Sequence, residues 1–131
     1  MKHNVIFGAG AIGGSMGAYL ARSGFDVLFV DQAKEHVDAI NRNGLTIEGI
    51  DGEFTVSAAA VLPSELKGPL DVVFLAVKSQ HTAMAMETIA PLLADDGFVV
   101  SLQNGINEYT IAEYVGADRT IGAFVNWAAD Y

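Results

Sequence analysis

The sequence predicts an α/β fold: a doubly wound, mainly parallel sheet with helices on both faces. Three features carry that expectation. A glycine-rich turn at residues 8–13 joins a short apolar strand to a helix, apolar strands alternate with helical segments down the chain, and Asp71-Val72-Val73-Phe74-Leu75-Ala76-Val77 forms an almost unbroken apolar run. Such a run suits a central strand covered on both faces, whereas a strand with one wet face alternates polar and apolar residues. Strands separated by helices imply parallel pairing through right-handed crossovers.

The first strand is Val5-Ile6-Phe7, and Ser15 to Arg22 after the glycine turn has helical composition, stopped by Ser23-Gly24. Phe25 to Val30 reads as the second strand, ending on Asp31, and Ala33 to Arg42 as a second helix terminated by Asn43-Gly44. Leu45-Thr46-Ile47-Glu48-Gly49 and Glu53-Phe54-Thr55-Val56-Ser57 alternate around Ile50-Asp51-Gly52, as a hairpin at a sheet edge does. Val61 to Gly68 reads as connector. The apolar run from Asp71 is followed by a helix over 80–94, a strand over Phe98-Val99-Val100-Ser101-Leu102, a helix from Asn107 to Val115 and a last strand from Thr120 to Val125.

The chain has 131 residues, enough to bury one core. Residues 1–131 are therefore read as one domain. Half of them are hydrophobic (51%) and only 18% are charged, which excludes a disordered chain. Sixteen acidic against seven basic residues give a formal charge of -9, a field that repels nucleic acid and anionic membranes. An anionic ligand must then be held locally, by backbone N–H groups and a helix N-terminus. There is no cysteine, so no disulfide framework or thiolate zinc site is available. The apolar segment after Met1-Lys2-His3-Asn4 is too short for a signal peptide core or a membrane span, and a cytoplasmic protein is expected.

The turn Gly8-Ala9-Gly10-Ala11-Ile12-Gly13 fits the GxGxxG pattern of dinucleotide-binding (Rossmann) domains. Alone it is a weak signal in a chain with 14 glycines, and a turn whose glycines merely pack would look similar. Context strengthens it: a strand precedes it, a helix follows, and Asp31 ends the next strand about 20 residues on, as the fingerprint requires. Gly8 permits the tight turn, Gly10 the close approach of backbone to pyrophosphate, and Gly13 the close packing of helix on strand. Asp31 is placed to accept hydrogen bonds from the adenosine ribose and to repel the 2'-phosphate of NADP, so NAD is favoured. Asp31 equally suits capping of the helix that begins near Ala33, and Lys34 stands close enough in sequence to meet a 2'-phosphate.

Lys78 and Asn104 stand where two successive buried strands end, at the edge where open α/β sheets bind ligands. Asn104 both donates and accepts, which suits a carboxamide, a ribose or a substrate hydroxyl. Each also has a plainer reading, Lys78 as a solvated lysine and Asn104 as a helix cap. His3, His36 and His81 lack metal-ligand spacing and read as surface or capping residues, His81 alone lying near the expected site. Met16, Met84 and Met86 read as core or interface filler, and Trp127 as packing or a domain contact. No metal site is expected.

Taken together, Phe7-Gly8-Ala9-Gly10-Ala11-Ile12-Gly13-Gly14, Ala76-Val77-Lys78-Ser79 and Leu102-Gln103-Asn104-Gly105 resemble the N-terminal domain of the ketopantoate reductase (2-dehydropantoate 2-reductase) family. The resemblance implies a small-molecule 2-keto acid substrate reduced by hydride transfer, ketopantoate becoming pantoate on the route to pantothenate and coenzyme A. It implies that the glycine turn binds pyrophosphate, that Lys78 and Asn104 face nicotinamide and substrate in a supporting catalytic role, and that Ala128 contacts the cofactor. Family members usually use NADPH and carry a basic or neutral polar residue where this chain has Asp31, so family habit favours NADP and Asp31 favours NAD. They continue into an all-helical C-terminal domain that supplies the catalytic lysine and a substrate-binding acid. The expectation is thus a dinucleotide-binding domain at 1–131 that is inactive alone, with that second domain absent from the chain and a homodimer left open. Two other readings stand beside it: another NAD-dependent 2-hydroxyacid dehydrogenase of the same fold, and a non-catalytic dinucleotide sensor.

Overall fold

The computed structural model describes residues 3–49, 52–103 and 107–122. Strands β1 (Asn4–Phe7), β2 (Val27–Val30), β5 (Ala59–Val61), β6 (Leu70–Leu75), β7 (Leu93–Ser101) and β8 (Thr120–Gly122) form one sheet in the order β5-β2-β1-β6-β7-β8. Every neighbouring pair in it is parallel. Numbered among themselves, these strands run 3-2-1-4-5-6, the doubly wound order of dinucleotide-binding domains. The expected α/β fold with a parallel sheet is therefore what the chain adopts.

Alternation along the strands divides the core between the two faces. Ile6, Val27 and Phe29 are buried with Val37 and Ile40 of α2 (Lys34–Asn43), and α1 (Ala11–Arg22) packs on this side of the sheet. Val5, Phe7, Val73, Leu75 and Val99 face the other way, against Ala85, Met86 and Ile89 of α3 (Thr82–Ile89) and Ile111 and Val115 of α4 (Asn107–Val115). Period-two alternation in strands sandwiched by helices makes both faces apolar, which is why the central strands read as continuous hydrophobic runs. α1 comes close to β1 and β2 because Gly17 lets the Phe29 ring lie where a Cβ would be only 2.4 Å from it.

Several elements differ from the sequence-based expectation. The hairpin of β3 (Leu45–Gly49) and β4 (Gly52–Val56) forms its own two-stranded sheet instead of extending the main one. It is laid on α1, where Phe54 meets the Tyr19 ring edge-on at 5.1 Å and the Arg22 guanidinium at 4.5 Å. The edge position expected for it belongs to β5, whose three residues end on the first residue of the stretch read as connector. The expected helix over 80–94 is shorter: α3 is flanked by 3-10 turns at Ser79–His81 and Ala90–Leu92. Pro91 lacks the N–H needed to continue an α-helical ladder, so the chain leaves the helix there and pairs from Leu93, with a register shift before Phe98. α1 begins at Ala11, directly on the glycine turn, four residues earlier than helical composition suggested. α4 has the expected bounds. The last strand is described as far as Gly122.

Among the described residues no helix is long and apolar enough to cross a membrane, and no cluster of His, Asp or Glu is arranged to hold a metal ion.

Candidate functional site

The strand order reverses between β1 and β6, so the connections leaving these two strands depart to opposite faces and open a crevice at their carboxyl ends. A groove of about 400 Å³ lies there. Gly8 and Gly10 line it, with Asp31, Gln32 and Pro63 on the side of β2 and β5 and Lys78, His81 and Met84 on the side of β6 and α3. The tertiary structure thus joins four sequence segments, the glycine turn, the end of β2, the loop after β5 and the stretch from the end of β6 into α3, around one cavity.

Packing accounts for two of the turn's glycines and leaves the third open. Gly8 has φ +106, and a Cβ on it would lie 2.9 Å from the backbone of Ala76 and Val77, where β1 runs beside β6. At Gly13 a Cβ would lie 1.9 Å from the Gly8 carbonyl oxygen, so the first turn of α1 can sit on the end of β1 only with glycine there. Gly10, the N-cap of α1, has an ordinary φ of -77, and a Cβ placed on it would meet no protein atom within 4 Å. Gly10 brings no side chain to cap α1, and among the described residues no side chain accepts from its first-turn amides, which face the groove end of the helix. Ala11 is exposed and Ile12 packs toward Val72, Val100 and Leu102.

Asp31 follows β2 and is half-buried. Its Oδ2 accepts from the Ala9 N–H at 3.0 Å and its Oδ1 from the Ala33 N–H at 2.9 Å, Ala33 being the N-cap of α2. Asp31 thus ties the entry to α2 back to the glycine turn, and it lines the groove with lone pairs left over, since a carboxylate offers about four acceptor sites. Lys34 turns away along its own helix. Its Nζ lies 2.9 Å from Asp38 Oδ2, and that hydrogen bond and charge hold the Lys34 pKa above its usual value. His36 corrects the expectation of a surface or capping residue, because its Nε2 lies 2.8 Å from the Ala9 carbonyl oxygen, so His81 is not the only histidine beside the site.

Lys78 is exposed on the groove wall, just beyond β6. Its carbonyl accepts from the His81 N–H at 2.8 Å, forming the 3-10 turn that leads into α3. Gln103, from the Gln-Asn-Gly stretch after β7, donates from Nε2 to the Val77 carbonyl at 2.8 Å and to the hydroxyl of buried Thr82 at 2.7 Å. Asn107 Nδ2 donates to Ser79 Oγ at 2.9 Å, joining the start of α4 to the same loop. Asn104, Ala128 and Trp127 lie outside the described residues. Sequence reading missed Gln32, Pro63 and Met84 as groove residues; Met84, unlike core-filling Met86, is 58% exposed there. Nothing in their local pattern marks them, since only the neighbouring strand ends bring them to the groove.

Strand order, a glycine turn at the switch point and an acid after the second strand define a Rossmann-type α/β domain. The chain belongs to the ketopantoate reductase PanE/ApbA family, whose family model matches residues 5–130. It is 41% identical over 126 residues to a 2-dehydropantoate 2-reductase from Pyrococcus abyssi, covering 92% of this chain and 40% of that protein. It is 36% identical over 119 residues to the same enzyme of a Nostoc strain, covering 89% and 37%. The crystal structure of 2-dehydropantoate 2-reductase from Geobacter metallireducens superposes with a TM-score of 0.81 at 37% identity, over 91% of this chain and 40% of that one. D-mandelate dehydrogenase, solved with NADH and anilino(oxo)acetate, superposes at 0.86 with 30% identity, over 95% and 41%. The chain therefore spans about two fifths of the length of these proteins.

Proposed function

We propose that this chain binds a nicotinamide dinucleotide, NAD(H) in preference to NADP(H), as the cofactor-binding part of an enzyme that reduces a 2-keto acid, ketopantoate first among them. Gly10 carries this reading. Neither its backbone angle nor its packing calls for glycine, yet it stands at the open N-terminus of α1 on the groove, where a side chain would keep a pyrophosphate away from the backbone. In this reading Gly8, Ala9, Gly10, Ala11, Ile12 and Gly13 form the pyrophosphate turn, with the α1 dipole favouring the phosphate charge.

Asp31 accepts hydrogen bonds from the adenosine ribose on the lone pairs its backbone contacts leave over, and its charge opposes a 2'-phosphate. Lys34 is not among the residues that line the groove, so it gives that phosphate little help. Lys78 and Asn104 hold the nicotinamide end and the substrate, and Ala128 touches the cofactor. A bound reduced nicotinamide supplies hydride to the carbonyl carbon; the oxygen then needs a proton, which the resemblance assigns to a lysine in the part of the family enzymes this chain does not span. Residues 1–131 are then a binding domain that positions the hydride donor and needs that second part for turnover.

The solved relative that carries NADH favours a second reading, an NAD-dependent reductase of a different 2-keto acid. Both readings share the cofactor. Titration of NAD, NADH, NADP and NADPH onto the 131-residue chain tests it: NADH binding tighter than NADPH supports the proposal, and no binding of any of the four overturns it. Offering ketopantoate and other 2-keto acids to the domain joined to its helical partner separates the two substrates.

A further inference from the structure

We infer that His36 is a positioning residue for the pyrophosphate turn, fixing it from the neighbouring β2–α2 unit; the inference rests on the dinucleotide reading above. Ala9 is the one residue of Gly8-Ala9-Gly10 with a side chain, and it is 3% exposed. Its carbonyl lies outside the α1 ladder, because the first helical acceptor is the Gly10 carbonyl, bonded to the Gly14 N–H at 2.7 Å. A buried carbonyl needs a donor from elsewhere. His36 Nε2 supplies it at 2.8 Å, and since a carbonyl only accepts, Nε2 carries the hydrogen whichever protonation state the ring adopts.

The N–H of the same residue is held by Asp31 Oδ2 at 3.0 Å. Ala9 is therefore gripped at both its amide nitrogen and its carbonyl oxygen by two side chains five positions apart on the β2–α2 unit. Main-chain bonds hold the residues on either side, the Gly8 N–H to the Val30 carbonyl at 2.8 Å and the Gly14 N–H to the Gly10 carbonyl, so what the His36 contact sets is the Ala9–Gly10 peptide, and with it the direction of the Gly10 N–H. A turn with that grip loosened samples more geometries, and a ligand must order it on binding, which lowers affinity without removing any ligand contact.

NADH titration of the wild-type 131-residue chain and its His36→Ala, His36→Gln and His36→Asn variants, with the melting temperature of each ligand-free protein, tests this. Gln reaches about as far as the imidazole Nε2 with an N–H; Asn is one bond shorter. His36→Ala is expected to bind NADH roughly fivefold more weakly, as for loss of one net hydrogen bond, His36→Gln to recover most of that loss, and His36→Asn little. Wild-type affinity in His36→Ala, even with a lowered melting temperature, overturns the inference, as does an equal weakening in His36→Ala and His36→Gln. If His36→Ala does not fold, equal affinities of His36→Gln and His36→Asn overturn it. A wild-type chain that binds no dinucleotide overturns the parent reading, and this one with it.

Discussion

Gln103 Nε2 lies 2.8 Å from the Val77 carbonyl oxygen, a bond between the ends of two adjacent strands, β6 and β7. The acceptor settles which end of the amide faces it, because a carbonyl oxygen takes only a donor. The second hydrogen of the same NH2 group reaches Thr82 Oγ1, so one side chain joins the loop before Lys78 to the start of α3. Replacing Gln103 by Glu keeps the shape and removes both donors. We expect Gln103→Glu to be about 2 kcal/mol less stable in urea unfolding, because a carboxylate then faces the Val77 carbonyl with no hydrogen between the two oxygens. NADH affinity should fall with it, because the peptide that carries Lys78 loses its anchor. Unchanged stability and affinity would show the clamp to be incidental.

Gly10 and Gly13 separate function from packing within one turn. Gly13→Ala puts a methyl group 1.9 Å from the Gly8 carbonyl oxygen and should cost about 3 kcal/mol or more, or prevent folding. Gly10→Ala meets nothing within 4 Å and should leave the melting temperature near wild type while reducing NADH affinity at least about tenfold. Isothermal titration beside thermal unfolding reads both, and a Gly10→Ala chain that binds NADH normally would remove the main support for the dinucleotide site.

Asp31 does two jobs, so its substitutions divide. Asp31→Ala removes the acceptors for the Ala9 and Ala33 N–H groups together with the charge, and should weaken NADH more than NADPH, equal losses refuting the assigned role. Asp31→Asn keeps one oxygen acceptor and removes the charge, and should narrow the preference for NADH over NADPH. Lys34→Ala should leave both affinities within about twofold, because its ammonium lies along α2 on Asp38 and the residue does not line the groove. A large loss of NADPH binding in Lys34→Ala would restore the role its sequence position suggested.

The hairpin on α1 should matter for stability alone. Phe54→Ala removes an edge-on contact with Tyr19 and the stacked Arg22 guanidinium, together worth roughly 1–2 kcal/mol. None of the three lines the groove. Denaturant unfolding should register the loss while NADH titration does not.

Much of this architecture is legible in the sequence. Strong apolar runs such as Val72 to Leu75 declare buried parallel strands, and the glycine turn declares a strand-to-helix junction, because both depend on neighbours in sequence. The bounds of α4 were readable for the same reason. β5 was not, since Ala59–Val61 is three residues long and is a strand only through its pairing with β2. The hairpin's alternation predicted its two strands correctly yet could not say that their apolar side would cover α1 instead of extending the sheet. Helix 80–94 was overextended because Pro91 acts one turn after the apolar period still looks helical.

The sequence by itself determined the parallel α/β class, the place of the glycine turn and the family, because each rests on local backbone preference and on residues spaced along the chain. Tertiary structure decided what those residues touch. It showed that Gly13 serves packing while Gly10 stands open, that Asp31 and His36 grip opposite ends of Ala9, that Lys34 is spent on Asp38, and that Gln103 reaches back to Val77. The reason is physical: the bonds to Ala9 and Val77 join residues 22 to 27 positions apart, so they form only once the sheet order brings the strand ends together, and no periodicity in the chain encodes them.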